Sequence, residues 1–444
     1  MIIFFVVFGW ANSSQAATFS CNGSQSDCQA KITAASDGDT ITIPSGSFNW
    51  GNSYISWTDK NINVIGAGID QTIITSTYLA FNVTDETKAS FRISGMTFNG
   101  NPSLGAFIKI SSRYQTTAQA VYGWRVDHIK FTQTVANTSL YILGVNWGLI
   151  DHCDFENSAS GSYELMHISI DTSYYNAESP YKSSYDWSLP IDWGTEKAVY
   201  IEDNVFNALN VSGNGHPYDT QTGGRVVFRY NTVTGGAPLG HPPNNGQIGT
   251  IKYEVYNNIF YNGNYGKGWY GMNIQGGGTG VVYNNTWSGF DLPYIGLEEK
   301  RTTDPYDQNP PLLACASTNS WDGAIGRPAR NTETTGWPCF CQVGRQAGNG
   351  TYNGTSDPVY AWNNGTEAGC HTGGICTDTI KLQAHGTGVS SYIKATPHSN
   401  GEVDYVNNGT TAKPGYTPYI YPHPLNLISG DTTPPAAPKG LTVQ

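Results

Sequence analysis

Short apolar strands recur at a fixed spacing along the middle of the chain. Segments of one pattern, each with an asparagine at its fourth position, are IEDNVF (201–206), FRYNTV (228–233), VYNNIF (255–260) and VYNNTW (282–287). Their asparagines, Asn204, Asn231, Asn258 and Asn285, are each 27 residues apart. A period of this length with one short strand per repeat indicates a β-solenoid, because each coil buries its apolar face only by stacking on its neighbours.

The pattern continues towards the N-terminus. VDHIKF (126–131) and IDHCDF (150–155) carry Ile129 and Cys153 in the asparagine position, and MHISID (166–171), ISGMTF (93–98) and INVIGA (62–67) indicate further coils. The linkers show no helical period, which disfavours an α/β fold. We therefore predict an all-β fold, a parallel β-helix with coils over about residues 35–300. Side-chain amides stacked one coil apart are expected to hydrogen-bond along the stack, with Cys153 as a buried structural thiol.

The two ends of the chain differ from the repeat. Residues 1–16 combine an apolar run, Ile2 to Ala11, with the small residues Ser14 and Ala16, as in a secretory signal. We assign residues 17–430 to the β-helix domain, with a loop-rich part at 290–430 in which PVYAWNN (358–364) forms a late strand. Residues 431–444 read as a linker and the start of a truncated fibronectin type III-like module, which predicts a longer modular protein.

The net charge and the length of the apolar run argue against two classes of partner, nucleic acids and membranes. The chain has 23 basic and 34 acidic residues and a formal charge of −11, so a nucleic-acid partner is not expected. The ten-residue apolar run near the N-terminus is shorter than the roughly 20 residues that span a bilayer, so membrane insertion is not expected either.

Eight cysteines fit an exported protein, secreted or on the cell surface. Cys21 and Cys28 could close a small N-terminal loop. The late cysteines, Cys315, Cys339, Cys341, Cys370 and Cys376, could form disulfides or bind a metal, although no CxxC pair occurs among them.

Alternation within the strands sorts side chains into faces. Residues three and five before the asparagine position are apolar and point inward, so residues two, four and six before it point outward. The outward rows place five charged residues within about three coils: Glu202, Arg225, Arg229, Lys252 and Glu254. The loops ahead of this face add His216, Asp219 and His241, and Tyr256 supplies an aromatic surface that suits a sugar ring.

Two interpretations of this cluster stay open. Glu202 and Arg229 could be a structural ion pair between adjacent coils, with the histidines as ordinary loop residues. Alternatively, Arg225, Arg229 and His241 act on a substrate, since few charges exist in the chain and they converge here.

The residues also resemble a known family. LIDHCDFENS (149–158) resembles the W-I-D-H-C segment of pectate lyases, and residues 223–260 are similar to the paired strands that follow it there. The resemblance implies a right-handed parallel β-helix, secretion and binding of an acidic polysaccharide. Asp151 and His152 match the family's D-H pair. The catalytic arginine does not carry over, because APLGHPP (237–243) occupies its place, and the calcium-binding aspartates are not recognisable, so a calcium requirement stays open.

Our first hypothesis is a polysaccharide lyase that cleaves a uronate-containing chain by β-elimination. Such a reaction needs a neutralised carboxylate, a base and an acid. Arg225 and Arg229 would neutralise the carboxylate and His241 would be the base. His216, Asp219, Glu202, Lys252, Glu254 and Tyr256 would bind the substrate.

Other functions fit the same sequence. A non-catalytic glycan-binding β-helix or stalk would need no convergent site. A uronate epimerase would use nearly the same groups as a lyase, and a glycoside hydrolase would use Glu202 and Glu254 as its carboxylate pair.

Overall fold

A computed structural model gives the architecture of most of the repeat region. It describes residues 16–85, 90–103, 105–112, 121–159, 162–169, 190–208, 214–221, 223–236, 238–240, 250–261, 271–275, 278–289, 295–298, 343–347, 354–365, 380–382, 393, 395–397 and 403–427. The expected signal up to residue 15, His241, the late cysteines and the linker at 431–444 lie outside these ranges. Within them, no helix is long and apolar enough to cross a membrane.

Nearly all described elements are parallel strands that stack in three ladders. The first ladder contains β1 Thr18–Ser20, β2 Thr40–Thr42, β5 Asn63–Ile65, β8 Arg92–Gly100, β10 Val121–Gln133, β12 Asn146–Asp151, β16 Val199–Glu202, β20 Arg225–Arg229, β23 Lys252–Tyr256, β26 Thr279–Tyr283, β31 Val359–Trp362 and β33 Tyr405–Gly409. The second ladder contains β3 Gly46–Gly51, β6 Thr72–Ser76, β13 Asp154–Asn157, β17 Val205–Ala208, β21 Thr232–Thr234, β24 Ile259–Tyr261 and β27 Thr286–Ser288. The long strands β8 and β10 take part in both, which joins the two ladders into one sheet.

The third ladder forms a separate sheet. It contains β4 Ile55–Thr58, β7 Phe81–Asp85, β9 Ile108–Ser112, β11 Leu140–Leu143, β15 Met166–Ser169, β19 Asp219–Gln221, β22 Leu239–Gly240, β25 Met272–Gln275, β28 Ile295–Glu298 and β32 Ile380–Leu382. The remaining elements are the parallel pair β14 Ser162–Glu164 and β18 Asn214–His216, the antiparallel pair β29 Arg345–Ala347 and β30 Gly354–Ser356, and the helices α1 Gln25–Ala34 and α2 Pro424–Leu427. The predicted right-handed parallel β-helix is confirmed.

The predicted asparagine stack is also confirmed. The Nδ2 of Asn204 donates to the Oδ1 of Asn231 over 3.1 Å, and the same bond links Asn231 to Asn258 and Asn258 to Asn285. Asn364 continues the stack beyond the repeat, accepting from Asn285 over 3.1 Å. Each Oδ1 also accepts the backbone N–H of the preceding coil, so these buried amides hold the coils in register.

The residue just before the asparagine position bends the chain between the first and second ladders. In this corner row φ lies between 51° and 58°, in the left-handed region; its members are His128, His152, Asp203, Tyr230, Asn257, Asn284 and Asn363. Non-glycine residues rarely adopt this conformation, although Asn, Asp and His do so more readily than most. The corner row therefore places one polar or aromatic side chain per coil along the outside of the bend.

Two further features bear on the sequence predictions. Helix α1, which the composition did not predict, begins at the N-cap Ser24 and packs Cys28 and Ile32 onto the N-terminal end of the core. Cys21 and Cys28 form the expected disulfide. Cys153 is a buried free thiol whose backbone N–H donates to Asn204, as predicted for that position.

Candidate functional site

The outward rows of the first ladder are buried beneath other parts of the chain. Glu202, Arg229, Lys252 and Glu254 each have no exposed surface, and Arg225 is 4% exposed. They do point away from the coil interior, as the alternation predicted. The covering comes largely from a C-terminal segment, residues 411–427, which packs its aromatic side chains against this face. We call it the covered face.

Among the residues that the structure describes, Arg229 contacts other groups of the chain on the covered face. It is ion-paired with Glu202 on the adjacent coil over 2.6 Å. One nitrogen donates to the hydroxyl of Tyr256 over 2.9 Å, and two donate to the backbone carbonyls of Tyr419 and Ile420. Its charge is therefore matched by the protein itself, and the structural ion pair considered from the sequence is what the structure shows.

The neighbouring charged side chains of the covered face are also bound to other groups of the chain. The Nζ of Lys252 lies 2.9 Å from Glu254 and donates to the carbonyl of Asp192. Glu254 also accepts the hydroxyl of Tyr416 over 2.6 Å. Arg225 donates to the carbonyl of Pro190 over 2.5 Å. These contacts bind residues 190–198 and the C-terminal segment to the coils.

Among the described residues, the covered face is therefore a packed surface and not an open groove. Tyr256 is 2% exposed and stacks on Tyr283, so it offers no surface to a sugar ring. Arg225 and Arg229 are not accessible to a substrate carboxylate, because the C-terminal segment and residues 190–198 lie over them. The alternation indicated which side chains leave the core but not what would cover them.

The outer face of the third ladder carries a different polar row. Register pairs Lys109 with Tyr141, Tyr141 with His167, and His167 with Asp219 on consecutive coils. Consecutive coils are about 4.8 Å apart, so the row spans about 14 Å. Lys109 and Tyr141 are half-buried, whereas His167 and Asp219 are buried.

His167 is held on two sides. Its Nδ1 lies 2.9 Å from Oε1 of Glu164, and its ring meets the ring of Tyr141 edge to face at 5.5 Å. Tyr141 in turn needs Gly105, because a Cβ there would lie 2.5 Å from the tyrosine hydroxyl. The imidazole and the phenol are thus oriented side by side on adjacent coils.

Two carboxylates complete this centre. Glu164, His167 and Asp219 bring one ligand atom each within 4.8 Å of one another, the one such group in the part of the chain that the structure describes. Gln221 donates to Asp219 over 2.7 Å, and His216 is paired in register with Glu164. Oxygen and imidazole donors of this kind suit a divalent cation. We call Tyr141, Glu164, His167 and Asp219 the third-ladder centre.

Burial changes the acidity of this region. Desolvation raises the pKa of Glu164 to about 7, opposed by its hydrogen bond to His167 and reinforced by the nearby carboxylate of Asp219. Burial also lowers the pKa of Lys109. A carboxylic acid that titrates near neutral pH beside an imidazole is suited to proton transfer.

The sequence predictions found part of this centre. The sequence assigns Asp219 and His216 to substrate binding; Asp219 lies on the third ladder beside His167, and His216 lies on β18, paired with Glu164. His167, Glu164, Tyr141 and Lys109 were missed. The segment MHISID was recognised as a coil, and its histidine at an outward position was the available signal. His241, the expected base, lies outside the described residues.

Comparison with known proteins identifies no sequence relative, since no protein-family model and no curated protein matches the chain. Among solved structures it is similar to an alginate lyase from Paenibacillus sp. str. FPU-7, at 13% identity over 63% of this chain and 99% of that one, with a TM-score of 0.38. It is similar to a PL6 family polysaccharide lyase from Pseudopedobacter saltans, at 13% identity over 93% and 89%, with a TM-score of 0.42. It is also similar to the A-module of a mannuronan C-5 epimerase from Azotobacter vinelandii, at 12% identity over 89% and 96%, with a TM-score of 0.40.

Proposed function

We propose that the protein is a secreted enzyme that cleaves a uronate-containing polysaccharide by β-elimination at the third-ladder centre. The observation that carries this proposal is the pairing of Tyr141 and His167, two proton-transfer groups on adjacent coils whose rings meet at 5.5 Å. This assignment replaces Arg225, Arg229 and His241 as the reacting groups, because Arg229 is bound to Glu202 and to carbonyls of the C-terminal segment, and Arg225 to the carbonyl of Pro190.

β-Elimination moves one proton off the sugar and one onto the leaving oxygen. A base removes the proton at C5, the C4–C5 double bond forms, and the C4–O4 bond breaks as O4 takes up a proton. His167, oriented by Glu164, serves as the base, and the hydroxyl of Tyr141 donates to O4. The ammonium of Lys109, in the same outward row, offsets the substrate carboxylate so that the C5 proton becomes more acidic.

Glu164 and Asp219 have two roles in this proposal. They orient His167, and their oxygens could hold a calcium ion that shares the neutralisation of the uronate carboxylate. His216, at the edge of the centre, belongs to the substrate-binding surface. None of the polar groups of the covered face takes part.

The test is absorbance near 235 nm after the protein is added to a panel of uronate polysaccharides, with calcium or with a chelator. A rising signal reports the unsaturated product. Tyr141→Phe and His167→Gln should each reduce the rate by about 100-fold or more. Tyr122→Phe, at an exposed tyrosine on β10 outside the third ladder, should leave it unchanged.

The other candidate reactions give different readouts in the same assay. Exchange of the C5 proton for deuterium without absorbance would identify an epimerase, which shares the proton abstraction but returns the proton to the sugar. New reducing ends without absorbance would identify a hydrolase, with the nearby carboxylates of Glu164 and Asp219 as its pair. Silence in all three assays would overturn the enzymatic proposal in favour of a glycan-binding or structural β-helix.

A further inference from the structure

A second polar groove lies along the corner between the first and second ladders. It has a volume of about 500 Å3, and its lining includes His128, His152, Asp203, Val205, Tyr230 and Tyr421. The members of the corner row in this lining, from His128 to Asn257, come from consecutive coils of the first ladder. At about 4.8 Å per coil the groove extends for about 19 Å. It has the length of a site for an extended chain.

Two imidazoles form one end of this corner groove. The Nδ1 of His128 lies 2.7 Å from Asp127 and the Nδ1 of His152 lies 2.6 Å from Asp151. The two rings stack in parallel with centroids 5.0 Å apart. Both aspartates are buried and ion-paired, for instance Asp151 with Arg125 over 2.6 Å. The carboxylates therefore fix both rings, and the opposite edge of His152 can exchange hydrogen bonds with a ligand.

A carboxylate and an aromatic pair lie on the next two coils, between the imidazoles and Asn257. Tyr230 stacks on Tyr421 of the C-terminal segment with ring centroids 3.7 Å apart. The hydroxyl of Tyr421 donates to Asp203 over 2.9 Å. The C-terminal segment thus covers the first ladder and also supplies one wall of the corner groove.

The floor of the corner groove combines an apolar surface with a hydrogen-bond acceptor that has no donor among the described residues. Val205, on β17, is 41% exposed, an uncommon exposure for a valine in this core-forming strand. Next to it, Oδ1 of Asp154 is buried and has no hydrogen-bond partner among the described residues. A buried carboxylate oxygen of this kind indicates a donor that the chain itself does not supply.

These groups have the chemistry of sugar recognition. Carboxylates and imidazoles exchange hydrogen bonds with hydroxyl groups, while aromatic and aliphatic surfaces pack against the C–H face of a pyranose ring. Asp154 and Asp203 disfavour phosphate or sulfate, because no uncompensated arginine or lysine lines the described groove. We propose that the corner groove is a second, non-catalytic binding site for an oligosaccharide chain, separate from the third-ladder centre.

The test measures binding and needs no turnover. The protein is run by native electrophoresis in gels containing polygalacturonate, polymannuronate or xylan, and retardation gives the dissociation constant. Val205→Arg fills the floor of the groove and should weaken binding to the retarding polymer by about tenfold or more. Tyr122→Arg adds the same side chain at a strand position of matched exposure, 42%, outside the groove and should bind as the wild type does.

Two further variants distinguish a loss of binding from misfolding of the Val205→Arg protein. Asp203→Asn keeps the left-handed backbone and an acceptor for Tyr421 but removes the charge, and it should also weaken retardation. In the His167→Ala protein, which should not turn the polymer over at the third-ladder centre, part of the retardation should remain, and Val205→Arg should remove that part. Unchanged retardation in Val205→Arg, loss of all retardation in His167→Ala, or no retardation of the wild type by any of the three polymers would overturn the proposal.

Discussion

The guanidinium of Arg229 and the carboxylate of Glu202 form an ion pair of 2.6 Å between adjacent coils, with neither side chain exposed to solvent. Glu202 also accepts the backbone N–H of His423 over 2.8 Å, and Arg229 donates to two carbonyls of the C-terminal segment. A buried pair is tolerated only when its remaining donors and acceptors are satisfied. The pair therefore attaches residues 190 or more positions away to the face of the coils.

Removal of one partner should be costly. Arg229→Met leaves the carboxylate of Glu202 buried without its counter-charge, which should lower the free energy of unfolding by about 3–5 kcal/mol. Tryptophan fluorescence during urea unfolding measures this.

The matched control is Lys130→Met. The Lys130–Glu156 pair also joins adjacent coils, at 3.2 Å, but both side chains are about a quarter exposed. Its loss should cost less than about 1 kcal/mol. A stable Arg229→Met protein that has lost only turnover would restore the catalytic role first assigned to Arg229.

The asparagine stack, which directly follows the corner row, should contribute to stability in the same way. The amide of Asn231 donates to the carbonyls of Ile201 and Arg229, and its Oδ1 accepts from Asn204. Because each buried group left unpaired costs about 1–3 kcal/mol, Asn231→Ala should lower stability by about 3 kcal/mol or more. Asn207→Ala, at a half-buried asparagine outside the stack, is the control, and equal urea midpoints for the two variants would contradict this account.

The raised pKa of Glu164 gives a pH dependence of stability. In the folded protein the pKa of this carboxyl is about 7, so it keeps its proton up to about that pH, whereas the ordinary pKa of a glutamate side chain is 4.5. Its contribution is therefore fully present below pH 4.5 and is lost as the pH rises through 7. The difference in unfolding free energy between wild type and Glu164→Gln should change in this window. Parallel stability curves for the two proteins would show that Glu164 titrates normally.

His423 should act with the opposite sign. Burial, together with the charges of Arg229 and Arg125, lowers the pKa of its imidazole to about 3 from 6.5. Its contribution is present above pH 6.5 and is lost as the pH falls towards 3, because the unfolded chain takes up a proton that the folded one does not.

The variant that isolates this effect is His423→Asn, which keeps an acceptor for the N–H of Leu425. Limited proteolysis between pH 7.5 and 4 should release the C-terminal segment of the wild type more readily with acid than that of the variant. An identical acid response in both proteins would assign the effect to other groups.

The repeat was predictable because its signal is local and periodic. Asn204, Asn231, Asn258 and Asn285 recur at the spacing of one coil, and one side-chain amide suffices to satisfy the neighbouring backbone. Asn364 continues the stack, but the sequence does not predict this, because it lies 79 positions after Asn285 and not at the repeat spacing. An insertion between two coils changes the spacing but not the position in the stack.

The centre on the third ladder was predictable only in part. Glu164 and His167 are three residues apart, but Asp219 joins them from 52 residues beyond His167 through strand pairing. The segment between β15 and β19, which includes β16, β17 and β18, sets that distance, and its length has no fixed relation to the coil period. The sequence contained these residue types without a pattern that brought them together.

The sequence by itself determined the coil period, the asparagine stack and which residues of each strand face inward, because a strand alternates and stacked coils repeat. Only the tertiary structure decided which outward face is covered. The C-terminal segment reaches Glu202 and Arg229 through backbone carbonyls and N–H groups, which every residue carries. Backbone contacts of that kind do not depend on which side chains are present, so the sequence does not reveal them. The charged row of the first ladder is therefore buried beneath the C-terminal segment, although its composition resembles that of an active site. The reacting groups that we propose lie on another face.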